Sequence, residues 1–560
     1  MIRQTIRGRL LKALAAAVLA LTVGVALPDI AHADDPVSQE MGTLTIAQLH
    51  NEGATYDAYR VFAADVAPDG SATHLSWASD VMREAVLPYL DAKGYEPWLA
   101  NSHPGEGQHD LAQNAAEFVA SRMEADGETP TGDADDTGNA GVDETPFGLG
   151  LARALTQGGT TPDGVAKAGE PFAGAQGYWL FVTTDDTTEA VSEAGTLPLW
   201  LPLCAEEREA TEKSAVPAVS IEVREDSTGA WGKTADAHRS QDVDVRVTGP
   251  LPSNFTAFDR YHYRLDLRLP KGVTLAVPEG KTLPDVLGIT LGDQGVTADG
   301  TDCIASLEDG LLAIDFPDLR AARWQELGVN ADTKVVVALK VRMDDAACVG
   351  MPGNAIEAIL TYTDDPVSQG DGQTSADTVT IFTHRIELHK VAEQTERALA
   401  GAEFTMQVAP GNADEDSRGR YVGTDGALAD TPQTLRTDDQ GAIVVAGLDE
   451  GTYLIRETTA PVGFSPLPSD IELKVESTLS DMDQTLVELK ASSSLDAARV
   501  TAIDPDTSTV ALTVRDAALS ETPRSGGAEG LPQTGVAPIA SMLIAVGLTI
   551  AGISLIRSRT

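Results

Sequence analysis

The amino-acid sequence predicts a mainly β protein, in which tandem β-sandwich domains follow an α+β amino-terminal domain and precede a carboxyl-terminal transmembrane helix. Short alternating strands separated by turn signals fill residues 213–383 and 384–518. Residues 34–212 mix helical spacing with a fully apolar strand, and an uncharged apolar run covers residues 536–556. A length of 560 residues is compatible with three or four domains, so these segments account for the chain.

Residues 1–33 have the features of a secretory signal peptide. Four positive side chains precede an apolar run over residues 13–27, namely Arg3, Arg7, Arg9 and Lys12. Ala31-His32-Ala33 then forms a small-x-small cleavage site, so the mature chain is expected to begin at Asp34. The run is short for a membrane span, which disfavours an uncleaved helix.

The amino-terminal domain, residues 34–212, contains an acidic Gly/Pro/Thr-rich segment that is predicted to be a loop at residues 124–145. Asp133, Asp135, Gly138 and Glu144 follow the outline of an EF-hand calcium loop. Thr137 replaces the usual acid or amide at position five, and the surrounding composition offers no incoming helix. A solvated loop is therefore favoured over a calcium site, and no metal or cofactor is predicted.

Net charge and cysteine usage restrict the possible partners and cross-links. A formal charge of −45 leaves no basic patch for a phosphate backbone, which excludes nucleic acid as a partner. The sequence has only Cys204, Cys303 and Cys348, an odd number that leaves at least one thiol without an internal partner. Cys303 and Cys348 are a possible disulfide, with Cys204 free or buried, and no CxxC spacing indicates a metal.

Three strands of the 384–518 domain direct an ionisable side chain along an apolar row. Because side chains alternate along a strand, the apolar rows of three segments lead to Lys390, Glu457 and Asp516. A buried charge is costly unless it is paired or chemically consumed. Burial lowers the pKa of a lysine and raises that of a carboxyl group, so the Lys390 amine could attack Asp516 while protonated Glu457 shuttles protons. The alternative is a satisfied ionic cluster with no bond.

The same domain resembles the Cna protein B-type, prealbumin-like domains. His389-Lys390 with Leu399-Ala-Gly-Ala-Glu-Phe404 is similar to the opening of such a domain, and Tyr453-Leu-Ile-Arg-Glu457-Thr-Thr-Ala-Pro-Val-Gly-Phe464 to its YxLxExxAPxGY signature. The resemblance implies an isopeptide bond from Lys390 to Asp516, assisted by Glu457. The family usually has Asn where this chain has Asp516, although aspartate also serves in some members.

The middle segment resembles the fimbrial isopeptide-forming domain of SpaA-type, sortase-assembled pilins, which implies an immunoglobulin-like sandwich. The resemblance rests on Glu225–Lys233, Thr248–Asn254 and Tyr261-His-Tyr263. The family's reacting lysine, acid and asparagine fall at Ile221, Leu267 and Asp364. Since two of these positions are apolar, the domain is expected to have lost its bond.

The carboxyl terminus resembles a cell-wall sorting signal read by sortases in Gram-positive bacteria. After a linker at 519–530 comes the pentapeptide Leu531, Pro532, Gln533, Thr534 and Gly535. The apolar run 536–556 is long enough to span a bilayer, and Arg557 and Arg559 would hold the tail on the cytoplasmic side. The resemblance implies cleavage between Thr534 and Gly535 and transfer of Thr534 to an amine, whereas the run alone is also compatible with an ordinary membrane anchor.

These features predict a structural protein, secreted and anchored to the wall of a Gram-positive cell, that serves as a pilus or fimbrial subunit in surface display and adhesion. Expected partners are sortase, peptidoglycan or neighbouring pilin subunits, and a host-surface ligand. Lys213 is the best candidate to receive the next subunit, since no Tyr-Pro-Lys pilin motif occurs. The alternative is a monomeric wall-anchored adhesin. A secreted enzyme has little support, because HExxH and GxSxG are both absent.

Overall fold

The computed structural model describes residues 40–47, 53–68, 70–104, 108–127, 147–184, 193–212 and 214–519. The predicted signal peptide, most of the acidic segment, Lys213, all of the linker after Leu519 and the sorting signal lie outside these residues. Within the described residues the chain is mainly β, with sandwich-like pairs of sheets and few helices, which confirms the predicted fold class. No helix in these ranges is long and apolar enough to cross a membrane, and the predicted span 536–556 lies beyond them.

The amino-terminal domain combines two small sheets with a group of helices. Its strands are β1 (Met41–Ala47), β2 (Thr55–Val66), β3 (Ala72–Trp77), β4 (Gly164–Lys167), β5 (Pro171–Ala175), β6 (Gly177–Thr183), β7 (Leu199–Leu203) and β8 (Glu207–Thr211). Its helices are α1 (Asp80–Ala92), α2 (Tyr95–Ser102), α3 (Ala112–Gly127) and α4 (Phe147–Gln157). The strand orders are β5-β1-β8 and β3-β2-β6-β7, with β4 also paired to β2.

Local sequence explains the elements of this domain. The Ser79 side chain caps α1 by accepting a hydrogen bond from the Met82 amide at 3.0 Å. Every residue of β6 is buried, as its continuous apolar sequence predicts, and Cys204 is a buried free thiol. Helix α3 continues to Gly127, so the predicted loop start at Glu124 is wrong by four residues, because nothing before that glycine breaks a helix.

The middle domain is a sandwich of two larger sheets. Its strands begin with β9 (Ser220–Arg224), β10 (Trp231–Gly232), β11 (Thr234–Asp236), β12 (Asp242–Pro250), β13 (Tyr263–Arg268), β14 (Val273–Leu275), β15 (Gly288–Leu291) and β16 (Gln294–Val296). They end with β17 (Ile304–Glu308), β18 (Leu311–Phe316), β19 (Lys334–Met343), β20 (Asn354–Thr363), β21 (Asp371–Gln373) and β22 (Asp377–Phe382). Short helices α5 (Leu283–Val286) and α6 (Ala322–Glu326) and a 3₁₀ turn (Phe255–Ala257) lie in the connections.

The two sheets of the middle domain enclose one apolar core. The strand orders are β10-β9-β12-β19-β15-β16, with β14 on β19, and β11-β22-β20-β13-β18-β17, with β21 on β20. Strand β12 alternates buried and partly buried residues along its length, so that Val243, Val245 and Val247 face the core. This alternation gives each sheet one apolar face to bury against the other.

The last domain is also a two-sheet sandwich. Its strands are β23 (His384–Ala392), β24 (Glu403–Val408), β25 (Tyr421–Val422), β26 (Leu428–Ala429), β27 (Leu435–Arg436), β28 (Ala442–Leu448), β29 (Gly451–Thr459), β30 (Ile471–Ser480), β31 (Thr485–Ser493), β32 (Ala498–Asp504) and β33 (Thr509–Asp516). The strand orders are β28-β23-β33-β32 and β26-β25-β24-β29-β30-β31, with β27 on β24. The first and last strands of the domain, β23 and β33, are parallel neighbours.

The middle and last domains are joined by direct side-chain contacts. The buried His384 Nε2 lies 2.6 Å from Asp236 Oδ2. Asp481, in the turn between β30 and β31, accepts hydrogen bonds from the Lys233 amide and from the Thr234 amide and hydroxyl at 2.7–2.9 Å. The junction is therefore a packed polar interface.

Candidate functional site

Lys390, Glu457 and Asp516 lie on the buried side-chain rows of three strands, as alternation in the sequence predicts. On β23 the row passes through Leu388 to Lys390, and on β33 it passes through Val514 to Asp516. Glu457 lies on β29, which belongs to the opposite sheet. The three side chains are 0%, 1% and 0% exposed in chain order, so the site is sealed from solvent.

Parallel pairing of β23 and β33 brings the lysine to the aspartate. Lys390 is opposite Val514, and Asp516 is opposite Ala392, one same-face step further along. The lysine side chain is long enough to reach diagonally across the two strands from Lys390 to Asp516, so that Nζ contacts Asp516 Oδ1. Glu457 Oε1 reaches Nζ from the facing sheet at 2.9 Å. The first and last strands of the domain and a central strand thus meet at one amine.

Burial opposes charge at this site, although a ring face near the amine and an amide on Glu457 are contacts that charged groups prefer. The Phe404 ring centroid lies 5.4 Å from Lys390 Nζ, and the Leu467 amide donates to Glu457 Oε2 at 2.8 Å. Burial raises the pKa of Asp516 to about 6, although the neighbouring Lys390 opposes this rise. Asp516 Oδ2 is buried and has no hydrogen-bond partner. The carboxyl group of Asp516 is therefore easier to protonate than an exposed one.

A proton count shows what this cluster can do. One ammonium and two carboxylates would leave a net charge of −1 in the core, which a single added proton removes. Moving the lysine's extra proton to the second carboxylate then gives an amine and two carboxylic acids with no charged group. In this form, the Lys390 amine is a nucleophile in contact with the Asp516 carboxyl group, and Glu457 is a proton donor beside both.

The corresponding positions of the middle domain are only partly brought together. Ile221 on β9 and Leu267 on β13 are fully buried within the apolar core, as expected. Leu267 pairs with Ala358, and Asp364 follows six residues later, which is about 20 Å along a strand. Asp364 is buried elsewhere, where burial raises its pKa to about 7. The structure does not place Asp364 beside Leu267, because the register of β13 and β20 puts Asp364 six residues beyond the partner of Leu267.

Asp377 occupies the position that was expected for Asp364. On β22, Asp377 pairs with Ala358 of β20, which in turn pairs with Leu267 of β13. Its Oδ2 accepts a hydrogen bond from the Ile221 amide at 2.8 Å. Lys233 Nζ lies 2.5 Å from the same oxygen, with the two side chains 28% and 29% exposed. This pair was not predicted, although alternation back from Ile381 through Val379 leads to Asp377.

The possible disulfide between Cys303 and Cys348 is not present, since both thiols are free. Cys303 precedes Ile304 on β17, three strands from β20, which is about 14 Å across the sheet. Across the paired strands, Ile304 lines up with Thr361 of β20. The Cys348 amide instead donates to Asn354 Oδ1 at the other end of β20, and Asn354 is about 23 Å from Thr361 along that strand. A disulfide requires Cα atoms within about 7 Å.

Comparison with known proteins supports a pilin-like fold. The SpaA prealbumin-like fold domain matches residues 384–488, which confirms the predicted fold of the last domain. The whole structure is similar to the T6 backbone pilin of serotype M6 Streptococcus pyogenes, with 13% identity, a TM-score of 0.51, and coverage of 87% of this chain and 100% of that chain. At this identity the similarity shows the fold alone.

Two further pilins have lower structural scores. The full-length major pilin SpaD from Corynebacterium diphtheriae has 11% identity and a TM-score of 0.44, with coverage of 87% of this chain and 100% of that chain. The major pilin SpaA from the same organism has 12% identity and a TM-score of 0.42, with coverage of 85% and 100%. No curated protein sequence matches the chain.

Proposed function

We propose that this chain is a structural cell-surface protein, a sortase-anchored pilus or fimbrial subunit whose last described domain is closed by an isopeptide bond between Lys390 and Asp516. The observation that carries the proposal is the buried contact of Lys390 Nζ with Asp516 Oδ1, with Glu457 Oε1 2.9 Å from the amine. An enzyme needs space for a substrate beside its reactive groups. Here all the reactive groups belong to the chain and solvent is excluded, which supports chemistry directed at the protein itself.

The bond would form by condensation of an amine with a carboxylic acid. Lys390 Nζ attacks the Asp516 carboxyl carbon, and the proton of Glu457 goes to the developing oxyanion or to the departing hydroxyl. The C–N bond forms, the C–O bond breaks, and one water leaves. The proton lost by the nitrogen returns to Glu457. Contact between the reacting groups supplies proximity, and no cofactor is required.

The position of the bond suits a protein that carries tension. Lys390 lies near the start of the domain and Asp516 near its end, 126 residues apart in sequence. A pull on the tail after β33 would reach Asp516, cross the bond to Lys390, and continue along β23 towards the middle domain. The strands between these two residues would lie outside the force path. Such a device supports a tether or fibre subunit.

Anchoring would use the carboxyl-terminal pentapeptide. A transpeptidase would break the Thr534–Gly535 bond and join the Thr534 carbonyl to an amine of the wall or of a neighbouring subunit. In the second case Lys213, between the amino-terminal and middle domains, is the proposed acceptor. The linker at 519–530 would separate the cross-linked domain from this attachment point.

Intact-mass measurement tests the isopeptide bond. The wild-type protein should be lighter than its sequence by one water, and a peptide digest should contain a branched peptide joining Lys390 to Asp516. Glu457→Ala should restore the missing water, because the amine and carboxyl group would lack their proton shuttle. Lys474→Ala, an exposed lysine of the same domain, is the control and should keep the cross-link. A wild-type mass with no water missing would refute the bond.

Sortase-dependent assembly tests the anchoring. Co-expression with a pilin-type sortase should give a ladder of covalent multimers that is lost in Lys213→Ala and retained in Lys167→Ala, whose lysine is exposed on β4. A single wall-linked band in the wild type would favour the monomeric adhesin. A ladder that survives Lys213→Ala would move the acceptor to another lysine.

A further inference from the structure

The hairpin loop between β20 and β21, residues 364–370, belongs to the middle domain in sequence but packs into the amino-terminal domain. We call it the docking loop. Its Val367 side chain is 6% exposed and lies in the apolar core of the amino-terminal domain. The other buried residues of that core all come from residues 59–182. A side chain of the middle domain thus completes the core of its neighbour.

Polar contacts also join the docking loop to the amino-terminal domain. The Gly195 amide donates a hydrogen bond to the Asp364 carbonyl oxygen at 2.9 Å. The Arg153 guanidinium, on α4, donates to the Pro366 carbonyl oxygen. Both acceptors are backbone atoms of the loop, so these two bonds depend on the conformation of the loop. Docking of the amino-terminal domain therefore requires the loop to keep its shape.

The base of the docking loop is held by a short strand. Strand β21 has β20 as its strand partner, and the ladder contains three residue pairs, namely Thr361–Gln373, Tyr362–Gly372 and Thr363–Asp371. Within the loop, the Asp364 amide donates to the Gly370 carbonyl oxygen at 3.0 Å. A hairpin with so short a ladder is marginally stable on its own. Side-chain contacts at its base therefore add to its stability.

His262 lies directly before β13 and connects the base of the docking loop to the sheet. Its Nδ1 lies 2.7 Å from Asp371 Oδ2 on β21, and its Nε2 lies 3.0 Å from Asp315 Oδ1 on β18. Ionised carboxylate oxygens only accept hydrogen bonds, and a neutral imidazole has a single N–H. Both contacts are therefore hydrogen bonds only when the ring is a protonated imidazolium. Loss of the proton would place two lone pairs in contact and remove the charge attraction to both carboxylates.

Two arginines lie near His262 in sequence, and both are held by other groups. The Arg264 side chain, two residues along the same strand, donates to Asp266 Oδ1 at 2.9 Å. The Arg260 side chain, two residues before His262, donates to the Pro317 carbonyl oxygen at 3.0 Å. In these contacts neither guanidinium takes the place of the imidazolium.

The docking loop itself adds carboxyl groups next to this contact. Burial, with Asp365 and Asp371 nearby, raises the pKa of Asp364 to about 7. Hydrogen bonding to Asp371 raises the pKa of His262. Both groups thus bind a proton more tightly in the closed loop than in an open one, so these protons stabilise the closed loop. Their loss makes the base of the loop more negative.

We propose that the His262 imidazolium, held between Asp371 and Asp315, is a pH-sensitive contact that closes the docking loop, and that a rise in pH through neutrality opens the loop and releases the amino-terminal domain from the middle domain. The stabilisation by His262 is fully present below the ordinary histidine pKa of about 6.5. It is lost as the pH rises through the higher pKa of the closed state. Stabilisation by the Asp364 proton is lost between about pH 4 and about pH 7. The orientation of the amino-terminal domain would then follow the pH of its surroundings.

Amide hydrogen exchange of the full-length protein at pH 6 and pH 8.5 tests this proposal, with rates expressed as protection factors so that the intrinsic pH dependence is removed. The Val367 amide reports on the loop, and the Gly195 amide reports on its contact with the amino-terminal domain. Linkage to Asp364 alone should lower their protection about tenfold between these pH values, and His262 should add to the loss. The Val245 amide, in the centre of β12, should keep its protection.

Two substitutions separate the contributions of the two groups. His262→Gln retains a hydrogen-bond donor but cannot carry the charge, so protection at pH 6 should fall and should change less with pH. Adding Asp364→Asn should remove the remaining pH dependence. His389→Gln alters an exposed histidine of the last domain and is the control, which should behave as the wild type.

Three outcomes would overturn the proposal. Equal protection of the wild-type Val367 amide at pH 6 and pH 8.5 would show that the loop does not respond to pH. Loss of protection at Val367 with no change at Gly195 would mean that the loop opens without releasing the amino-terminal domain. Full pH dependence in the variant that combines both substitutions would assign the response to other groups.

Discussion

The middle and last β domains have similar two-sheet cores, but they end their buried rows in opposite ways. In the middle domain, Ile221 and Leu267 continue the apolar core, and the ionic pair Lys233–Asp377 is kept at a partly exposed edge. In the last domain, the corresponding rows contain a lysine and two carboxyl groups that are sealed from solvent. The same two-sheet fold therefore accepts either apolar or ionisable side chains at these buried positions.

This difference indicates what the buried cluster of Lys390, Glu457 and Asp516 contributes to the last domain. Replacing buried ionic groups with packed apolar ones is often neutral or stabilising at equilibrium. The middle domain can thus be as stable as the last one without any bond. Apolar packing cannot link the first and last strands of a domain covalently, whereas the proposed Lys390–Asp516 bond would. The two domains should therefore differ most in how strongly their unfolded chains are constrained.

The largest effect is expected from Lys390→Ala, which removes the proposed bond. Closing a loop of about this length contributes roughly 4–5 kcal/mol, since the bond would span 126 residues. Calorimetry should show the transition of the last domain moving to lower temperature while that of the middle domain stays in place. Lys474→Ala is the control, as its lysine is exposed. A shift no larger than that of the control would argue against a covalent closure.

The next largest effect should come from Ile221→Lys, which places an ammonium in the apolar core of the middle domain. An uncompensated buried charge costs about 3–5 kcal/mol, so the middle transition should fall. Ile221→Leu, which keeps the volume nearly constant, should cost less than about 1.5 kcal/mol. Equal melting of the two variants would indicate that Asp377, whose carboxylate already contacts this position, satisfies the new amine.

Stability of the junction between the middle and last domains should fall with rising pH. Carboxyl groups with a raised pKa hold more protons in the folded state than in the unfolded state, so their stabilisation is present at acidic pH. It should be lost as the pH rises from about 4 through the folded pKa values of about 7 for Asp226 and about 8 for Glu225. The free energy of unfolding should be lower at pH 8 than at pH 5 by a few kcal/mol, since each group contributes about 1.4 kcal/mol per pH unit over which it titrates. Asp226→Asn should reduce the difference.

The smallest effect is expected from Lys233→Ala in the middle domain. Its ion pair with Asp377 is partly exposed, and such pairs contribute about 0–1 kcal/mol. Lys340→Ala provides a matched comparison, because Lys340 pairs with Asp244 at 2.9 Å on a more exposed face. Chemical denaturation should give similar small changes for both. A loss of several kcal/mol for Lys233→Ala alone would mean that this pair closes the domain as the buried cluster does in its neighbour.

Sequence patterns predicted those features that depend on one strand or helix at a time. The rows leading to Lys390, Glu457 and Asp516 were predictable because side-chain alternation has a fixed period of two. Asp364 and the pair Cys303–Cys348 were not correctly placed. Their positions depend on strand order and register, which local alternation leaves undetermined.

The sequence by itself determined the β-sandwich class, the apolar rows and the ionisable residues at their ends, since these follow from local periodicity. Only the tertiary structure decided which row ends meet: it placed Asp377 beside Ile221 and kept the cysteines apart. It also gathered the carboxyl groups of Asp226, Asp414 and Asp449 from distant segments into one junction. The physical reason is that contact between residues far apart in sequence is set by sheet pairing and domain packing, which short-range patterns do not encode.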